Sequence, residues 1–353
     1  MLLVLVLPAQ SAVVVRISDL QVAPTPPNPI KVAGRVTSAS PTKLSDGSGE
    51  ITVVGVEAAL SDFLVVTGDW DGSVLTVTGE VDRVLPPAPC EMIYIPAGSF
   101  LMGNNGNEGY SYPVELHQHE VYLSGYWIGK YEVTRGEYRR FMETGGYSNR
   151  ACWSSAGWNW KVSNSRTEPR YWAAEQTWFV GQTFTQTDSH PVVGVTYYEA
   201  EAYCAWAGGH LPTEAQWEKA ARWTGSYPNV FPWANAWDAE KCNNWDDTNP
   251  AGGGYRRNQT SPVGSYAAGA SPSGCQDMAG NVWEWCRDWY SSSYYSASPS
   301  ANPPGPAGPQ LGDYRVFRGG GWVNNYNYDC RCAVRSRGEP SQYFIFTGFR
   351  VAR

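Results

Sequence analysis

Residues 317–353 read FRGGGWVNNYNYDCRCAVRSRGEPSQYFIFTGFRVAR, and the contrast between the ends and the middle of this stretch decides the fold. The ends are stiff, with three glycines and Trp322 on one side and Gly348-Phe349-Arg350-Val351 on the other. Between them small polar and aromatic residues follow neither a helical nor a strand period, which suits a supported surface loop rather than a core element. Tyr343-Phe344-Ile345-Phe346 sets four bulky apolar residues in a row between Gly338-Glu339-Pro340 and Thr347-Gly348. In a loop they cannot all be buried, and an exposed apolar cluster on a folded protein marks a contact surface.

The rest of the chain bounds what such a surface can serve. A formal charge of -7 argues against phosphate or nucleic-acid binding. With charged residues at 17%, 37 Gly, 25 Pro, 17 Trp and 22 Tyr, the composition is that of a loop-rich globular protein whose aromatic groups carry much of the core. Eight scattered cysteines without a C-x-x-C pair and only four histidines give little support to a structural zinc site. A disulfide set stays open, although Cys330 and Cys332 are too close for an easy mutual bridge. Residues 1–12, MLLVLVLPAQSA, are either a short leader or a first strand, and no other stretch is long and apolar enough to span a membrane. An extracellular, cell-surface or virion-associated location is expected over the cytoplasm.

Two domains are legible. Over residues 1–85, β-branched runs such as Ile51-Thr52-Val53-Val54 and Val74-Leu75-Thr76-Val77 alternate with Gly- and Asp-rich turns, which predicts a small all-β unit of five or six strands resembling an OB-type barrel. Its acidic character favours a structural or docking role over nucleic-acid binding. Pro-rich residues 86–91 form a linker. From 92 to 353 the texture becomes aromatic and loop-rich. Three helices announce themselves there by their caps: Thr134 with Glu137 three residues on, Thr196 ahead of Tyr197 to Ala207, and Thr213 before Glu214 to Arg222. Residues 291–309 read as an exposed excursion. A few helices, many loops and a closing strand make an α+β domain.

Several segments of this second domain occur in the order of a known family. Ile95-Pro96-Ala97-Gly98-Ser99-Phe100-Leu101-Met102-Gly103, Glu132-Val133-Thr134, Leu211-Pro212-Thr213-Glu214-Ala215-Gln216-Trp217-Glu218, Gly280-Asn281-Val282-Trp283-Glu284-Trp285, Arg318-Gly319-Gly320-Gly321-Trp322 and Gly348-Phe349-Arg350 resemble the formylglycine-generating-enzyme (sulfatase-modifying factor) family. The resemblance spans residues 92–353 and implies an elaborated C-type-lectin-like fold. It also implies a copper-binding cysteine pair in the oxidases of the family. Here the first of those positions falls on Asn324 and the second near Tyr328-Asp329, and amides or phenols do not replace the soft thiolates copper(I) requires. The expectation is therefore that the chain is not an enzyme. The sulfoxide-synthase branch implies a three-histidine iron site, but His117-Gln118-His119-Glu120 precedes a strand and reads as an alternating edge with both rings exposed. No cofactor is required on this reading. A structural calcium ion on Asn281, Glu284 and the Val282 carbonyl is the family's implication, and oxygen donors suit that hard cation. A second calcium site at Asn243-Asn244 meets Tyr255 where an aspartate is expected. Cys204 and Cys332 match the family's disulfide positions, with Val351 and Ala221 where their partners would stand.

A non-enzymatic branch with the same fold, the variable proteins of diversity-generating retroelements, resembles the tail more closely. Its frame is supplied by Arg318-Gly319-Gly320, Arg331-Cys332-Ala333-Val334-Arg335 and Gly348-Phe349-Arg350, which bound a variable region at 318–353. Within it Val323, Asn325, Tyr326, Tyr328, Asp329, Val334, Ser336, Gly338, Ser341, Tyr343, Phe344, Ile345, Phe346 and Thr347 are the expected ligand-binding positions. Each is reachable from an asparagine codon by changing adenines, whereas Glu339 and Gln342 are not. Tyr, Asn, Ser and Gly are also the residues of adaptable binding surfaces. The sequence thus predicts a ligand-binding display protein for a protein or cell-surface partner. A metal-dependent oxidase and an inactive paralogue are the alternatives.

Overall fold

The structure is a computed structural model that describes residues 4–6, 30–39, 42–45, 50–54, 63–70, 74–84, 90–172, 175–178, 182–244, 259–310, 312–323 and 326–353. Asn324, Asn325, Tyr255 and most of the Pro-rich linker lie outside the described residues. The chain divides into two units, Met1–Met92 and Ile93–Arg353.

The first unit is a sheet of β1 (Val4–Val6), β2 (Ile30–Ala39), β3 (Thr42–Ser45), β4 (Glu50–Val54), β5 (Phe63–Trp70) and β6 (Val74–Val84) in the order β1-β2-β3-β4-β6-β5. Strand β5 pairs back onto β2, from Ile30 opposite Gly68 to Arg35 opposite Phe63, so five strands close into a ring. Within that ring β4 and β6 run parallel and the other neighbours antiparallel.

The second unit opens with β7 (Met92–Ile95) and a hairpin of β8 (Gly98–Met102) with β9 (His119–Leu123), followed by β10 (Tyr126–Gly129). Helices α1 (Arg135–Glu143), α2 (Ser155–Ser163), α3 (Tyr197–Trp206) and α4 (Glu214–Arg222) come next, with the small hairpin of β11 (Glu175–Trp178) and β12 (Gln182–Thr185) between α2 and α3. A sheet of β15 (Ser336–Gly338), β14 (Arg315–Arg318), β13 (Trp283–Trp289) and β16 (Thr347–Gly348) completes the unit, β13 and β16 running parallel. Three helix starts lie where their caps predict: Thr134, Thr196 and Thr213 each accept the N3 amide while the N3 Glu or Gln side chain reaches back, satisfying two otherwise orphan donors. Helix α2 escapes that reading because Trp158, Trp160 and Val162 alternate as in a strand, although Ser154 caps it through the Gly157 amide.

The core is aromatic. Trp217 and Trp285 are fully buried, as are Tyr138, Phe141, Tyr203 and Phe349, which pack ring against ring. The chain end is laced onto β10: the amides of Trp127 and Gly129 donate to the carbonyls of Arg353 and Val351 at 2.9 and 2.8 Å. Two expectations change. Residues 291–309 are not a free excursion, since Tyr295 is buried and the Tyr122 and Asn302 amides bond to Ser300 and Tyr122 carbonyls along β9. His119 starts β9 and lies edge-on to Tyr295 at 5.1 Å rather than facing solvent, while His117 stays exposed in a left-handed turn.

Candidate functional site

The tail is held by its arginines. Arg331 makes a two-pronged pair with Glu115 (2.7 and 2.8 Å), and Arg335 does the same with Glu214 (2.6 and 2.8 Å). Arg318 pairs with Glu218 and reaches Glu214 at 3.6 Å. Arg350 grips both oxygens of Glu284 at 2.6 Å. Arg222 on α4 extends the network to Glu218 (3.3 Å) and to Glu108. The arginines are at most 5% exposed. Forked guanidinium–carboxylate pairs satisfy each other's donors and acceptors in fixed geometry, which is how charge is tolerated at this depth. Burial pushes the Glu214 carboxyl up, but Arg335 and Arg318 outweigh that and hold it below the usual carboxylate range.

This frame fixes the backbone while the side chains between its anchors turn elsewhere. A cleft of about 600 Å³ is lined by Val323, Asp329, Val334, Ser336, Phe344 and Phe346, all expected binding positions. Trp283 and Phe317 from the sheet, Tyr112, Pro113 and Val114 from the loop after β8, and Arg335 and Arg337 complete the lining. Phe344 and Phe346 stack at 5.1 Å, and Phe317 meets Trp283 at 5.4 Å. At the cleft's edge the hydroxyl of Tyr112 donates to Asp329 Oδ1 at 2.8 Å. Burial, and then the neighbouring Asp329 carboxylate, push the Tyr112 hydroxyl well above its ordinary value. It therefore stays a neutral donor at any physiological pH.

The remaining expected positions divide by burial. Tyr326, Ser341 and Tyr343 are exposed and Tyr328 is half-buried; Tyr343 has the guanidinium groups of Arg166 and Arg170 within 6 Å of its ring. Gly338, Ile345 and Thr347 are buried inside the frame rather than at the surface. A Cβ at Gly338 would come within 2.7 Å of Phe317 and 2.9 Å of Trp285, Ile345 packs with Val193, Val282 and Trp322, and Thr347 pairs with Trp283 in the sheet. So Tyr343-Phe344-Ile345-Phe346 splits by position, one side chain inside and three outside or part-way. Sequence reasoning missed Tyr110, Tyr112 and Val114. The signal for them is weak, a Gly- and Asn-rich loop 103–111 followed by Tyr-Pro, with no period to tie it to a tail two hundred residues away.

The proposed cation ligands are engaged within the protein. Asn281 Oδ1 accepts from the Ser261 amide (2.9 Å) and the Asn243 side chain (3.3 Å), and its Nδ2 donates to Glu132. Glu284 accepts from Trp217 Nε1 at 2.9 Å besides Arg350. Val282 packs its side chain into the cluster with Trp322. Burial, with Asp277 and Glu284 nearby, pushes Glu132 well up. Among the described residues no group of three or more His, Cys, Asp or Glu side chains is placed to hold a metal. The eight cysteines are all buried and none lines the cleft. Cys332 lies against the Ala221 carbonyl, its Sγ 3.8 Å away, which agrees with the position the resemblance gives to a missing partner.

Residues 81–353 match the sulfatase-modifying factor enzyme 1-like domain family. The chain is 35% identical over 270 residues to the hercynine oxygenase of Mycolicibacterium smegmatis, covering 74% of this chain and 60% of that protein. It is 33% identical over 291 residues to the formylglycine-generating enzyme of Thermomonospora curvata, covering 74% and 92%. The chain thus spans about three fifths of the length of the hercynine oxygenase it matches. Among solved structures, Treponema denticola variable protein 1 superposes with a TM-score of 0.53 at 24% identity, covering 74% of this chain and 94% of that one, and shares the fold. These relatives overturn the expectation that the chain is not an enzyme, because those at 33–37% identity carry enzyme names. The missing cysteine pair speaks to one metal chemistry and leaves others untouched.

Proposed function

The chain belongs to the sulfatase-modifying factor enzyme 1-like family, and on that premise we propose that its C-terminal cleft is a recognition face for a protein or cell-surface partner. One observation carries this reading, a division of labour within a single segment. Arg318, Arg331, Arg335 and Arg350 are spent on buried pairs, while Val323, Asp329, Ser336, Phe344 and Phe346 converge on one cleft beside exposed Tyr326 and Tyr343. Positions relieved of folding duty are the ones a retroelement can diversify without unfolding the domain. Aromatic side chains seated in such a cleft supply hot-spot energies of about 2 kcal/mol each when a partner buries them. The strand order of the N-terminal unit supports its reading as an OB-like barrel serving as a structural or docking module, and its acidic composition gives nucleic acid no purchase.

Sequencing the 3′ end of the gene from many clones tests diversification. Substitutions confined to adenine positions, frequent at Tyr326, Tyr343, Phe344 and Phe346 and absent at the four arginines, are the expected result. A uniform sequence, or variation that falls equally on the arginines, removes the reading.

A second reading places chemistry in the same cleft, favoured by the names of the curated relatives. Its polar centre would be the Tyr112–Asp329 pair, a neutral hydroxyl donor held by a carboxylate. Turnover of a cysteine peptide or a small thiol by the purified protein with copper or ferrous iron and oxygen, lost in Tyr112→Phe and Asp329→Asn, would establish it.

A further inference from the structure

The loop that follows α2 brings two arginines to the tail at Tyr343. After the Asn164 C-cap, Ser165 takes a left-handed conformation at φ 51°, and the Ser165 and Arg166 amides donate back to the Val162 and Lys161 carbonyls at 3.1 and 3.0 Å. This double return closes the helix and fixes the point from which Arg166 leaves it. Further on, the Arg170 amide donates to the Gly194 carbonyl at 3.1 Å, and the Gly194 amide donates to the Phe344 carbonyl at 3.0 Å. Gly194 thereby couples the loop to the tail. The Tyr171 ring lies against Gly194, where a Cβ would come within 2.6 Å of it, and meets Tyr343 edge-on at 6.2 Å.

The two guanidinium groups held there are under-used by the fold. Arg166 and Arg170 lie 5.9 and 5.7 Å from the centre of the Tyr343 ring. Nε and Nη2 of Arg166 are buried without a hydrogen-bond partner among the described residues, yet 19% of its side-chain surface stays open. Glu199 stands 4.0 Å from that Nε, beyond hydrogen-bond reach, and is already held by the Tyr147 hydroxyl at 2.7 Å and the Thr196 amide at 2.9 Å. Arg170 is exposed and makes no ion pair among the described residues. Glu168 and Glu339, the acidic residues of stretches 161–171 and 336–346, are exposed and pair with neither arginine. Guanidinium donors left unfilled beside a solvent-open ring are suited to a carboxylate, which accepts two of them at once.

We propose that Arg166 and Arg170, with the Tyr343 ring beside them, are the anion-accepting edge of the recognition face and take an aspartate or glutamate side chain of a protein partner. Both arginines lie outside 318–353, so they stay constant while position 343 varies and give every variant the same preference for acid. An acidic peptide fits better than a nucleic acid, because a chain of formal charge -7 repels a long polyanion far more than one carboxylate. The identity of the partner rests on the recognition reading; the site itself is tested without it.

The probe is N-acetyl-diglutamate amide, with N-acetyl-diglutamine amide as the neutral control, titrated into the full chain while the arginine Nε–H signals are followed by NMR. Saturable shifts with a dissociation constant on the order of 10 mM are expected for the acidic peptide. Arg170→Gln should weaken it at least about threefold, and added salt should reduce it. Arg139→Gln, which removes an exposed arginine already paired with Asp188, should leave it in place. An equal response to the glutamine peptide overturns the proposal, as does indifference to Arg170→Gln. So does a response to a short single-stranded oligonucleotide in place of the acidic peptide. Silence toward both peptides overturns it as well, and leaves the recognition face to be judged by clone variation alone.

Discussion

Replacing Arg335 with methionine removes the most consequential strut of the tail. Its Nε and Nη2 donate to Glu214 at 2.6 and 2.8 Å, and its Nη1 to the carbonyls of Val114 and Ser291 at 3.1 Å each. Methionine fills similar volume but leaves Glu214 with the more distant Arg318 and the Tyr295 hydroxyl, and leaves two carbonyls short of a donor. Removing one partner of a buried pair costs about 3–5 kcal/mol. For a unit of this size each kcal/mol moves the midpoint by about 2–4 °C, so a fall of roughly 6–20 °C is expected. The chain has two units, so the readout is the transition of the second unit, or amide exchange over residues 331–338. Tyr326→Ser is the internal control and should stay within about 0.5 kcal/mol, being an exposed residue outside the frame. A loss below about 1 kcal/mol for Arg335→Met, or an equal loss for Tyr326→Ser, would refute the division between frame and binding positions.

Burial, reinforced by the nearby Glu214 carboxylate, pushes Asp288 up to about 7. The folded state therefore holds a proton that the unfolded chain releases near pH 4, and this group's contribution to stability falls as pH rises from about 4 to about 7. Asp288→Asn, which keeps an oxygen for the Glu214 amide (2.8 Å), should flatten the pH dependence of the denaturation midpoint across that window; an unchanged slope would show that the folded group titrates normally. Gly280 has φ +75°, and a Cβ there would lie 2.4 Å from the Asn243 carbonyl oxygen, so Gly280→Ala should cost more than about 3 kcal/mol and appear as loss of soluble protein. Because Glu284 and Asn281 are already engaged, millimolar calcium should leave the thermal midpoint in place; a rise of several degrees that Asn281→Ala abolishes would show a bound ion.

What the sequence made legible, and what it hid, follows from the range over which each signal acts. Thr134, Thr196 and Thr213 announce their helices because a cap and its partner lie three residues apart, a distance at which chemistry and sequence coincide. The arginines of the tail were legible as a frame but not as ion pairs, since Arg331 finds Glu115 across 216 positions and Arg335 finds Glu214 across 121. Nothing local in either segment names the other. The same range effect governs the tail's tyrosines: Tyr326 and Tyr328 read as binding residues from their own neighbourhood, whereas Tyr110 stacks on Tyr328 only through folding. A run such as Tyr343 to Phe346 shows the converse limit. Composition says that some of its side chains are exposed, but which ones depends on where Thr347 enters the sheet beside Trp283, and that register turns Ile345 inward. Function meets the same boundary. The tail's residue types suggest recognition, and the relatives carry enzyme names; both uses need side chains freed from folding around one cleft. The buried arginine network supplies that freedom, so breaking it should remove binding and turnover together, whichever the cleft performs.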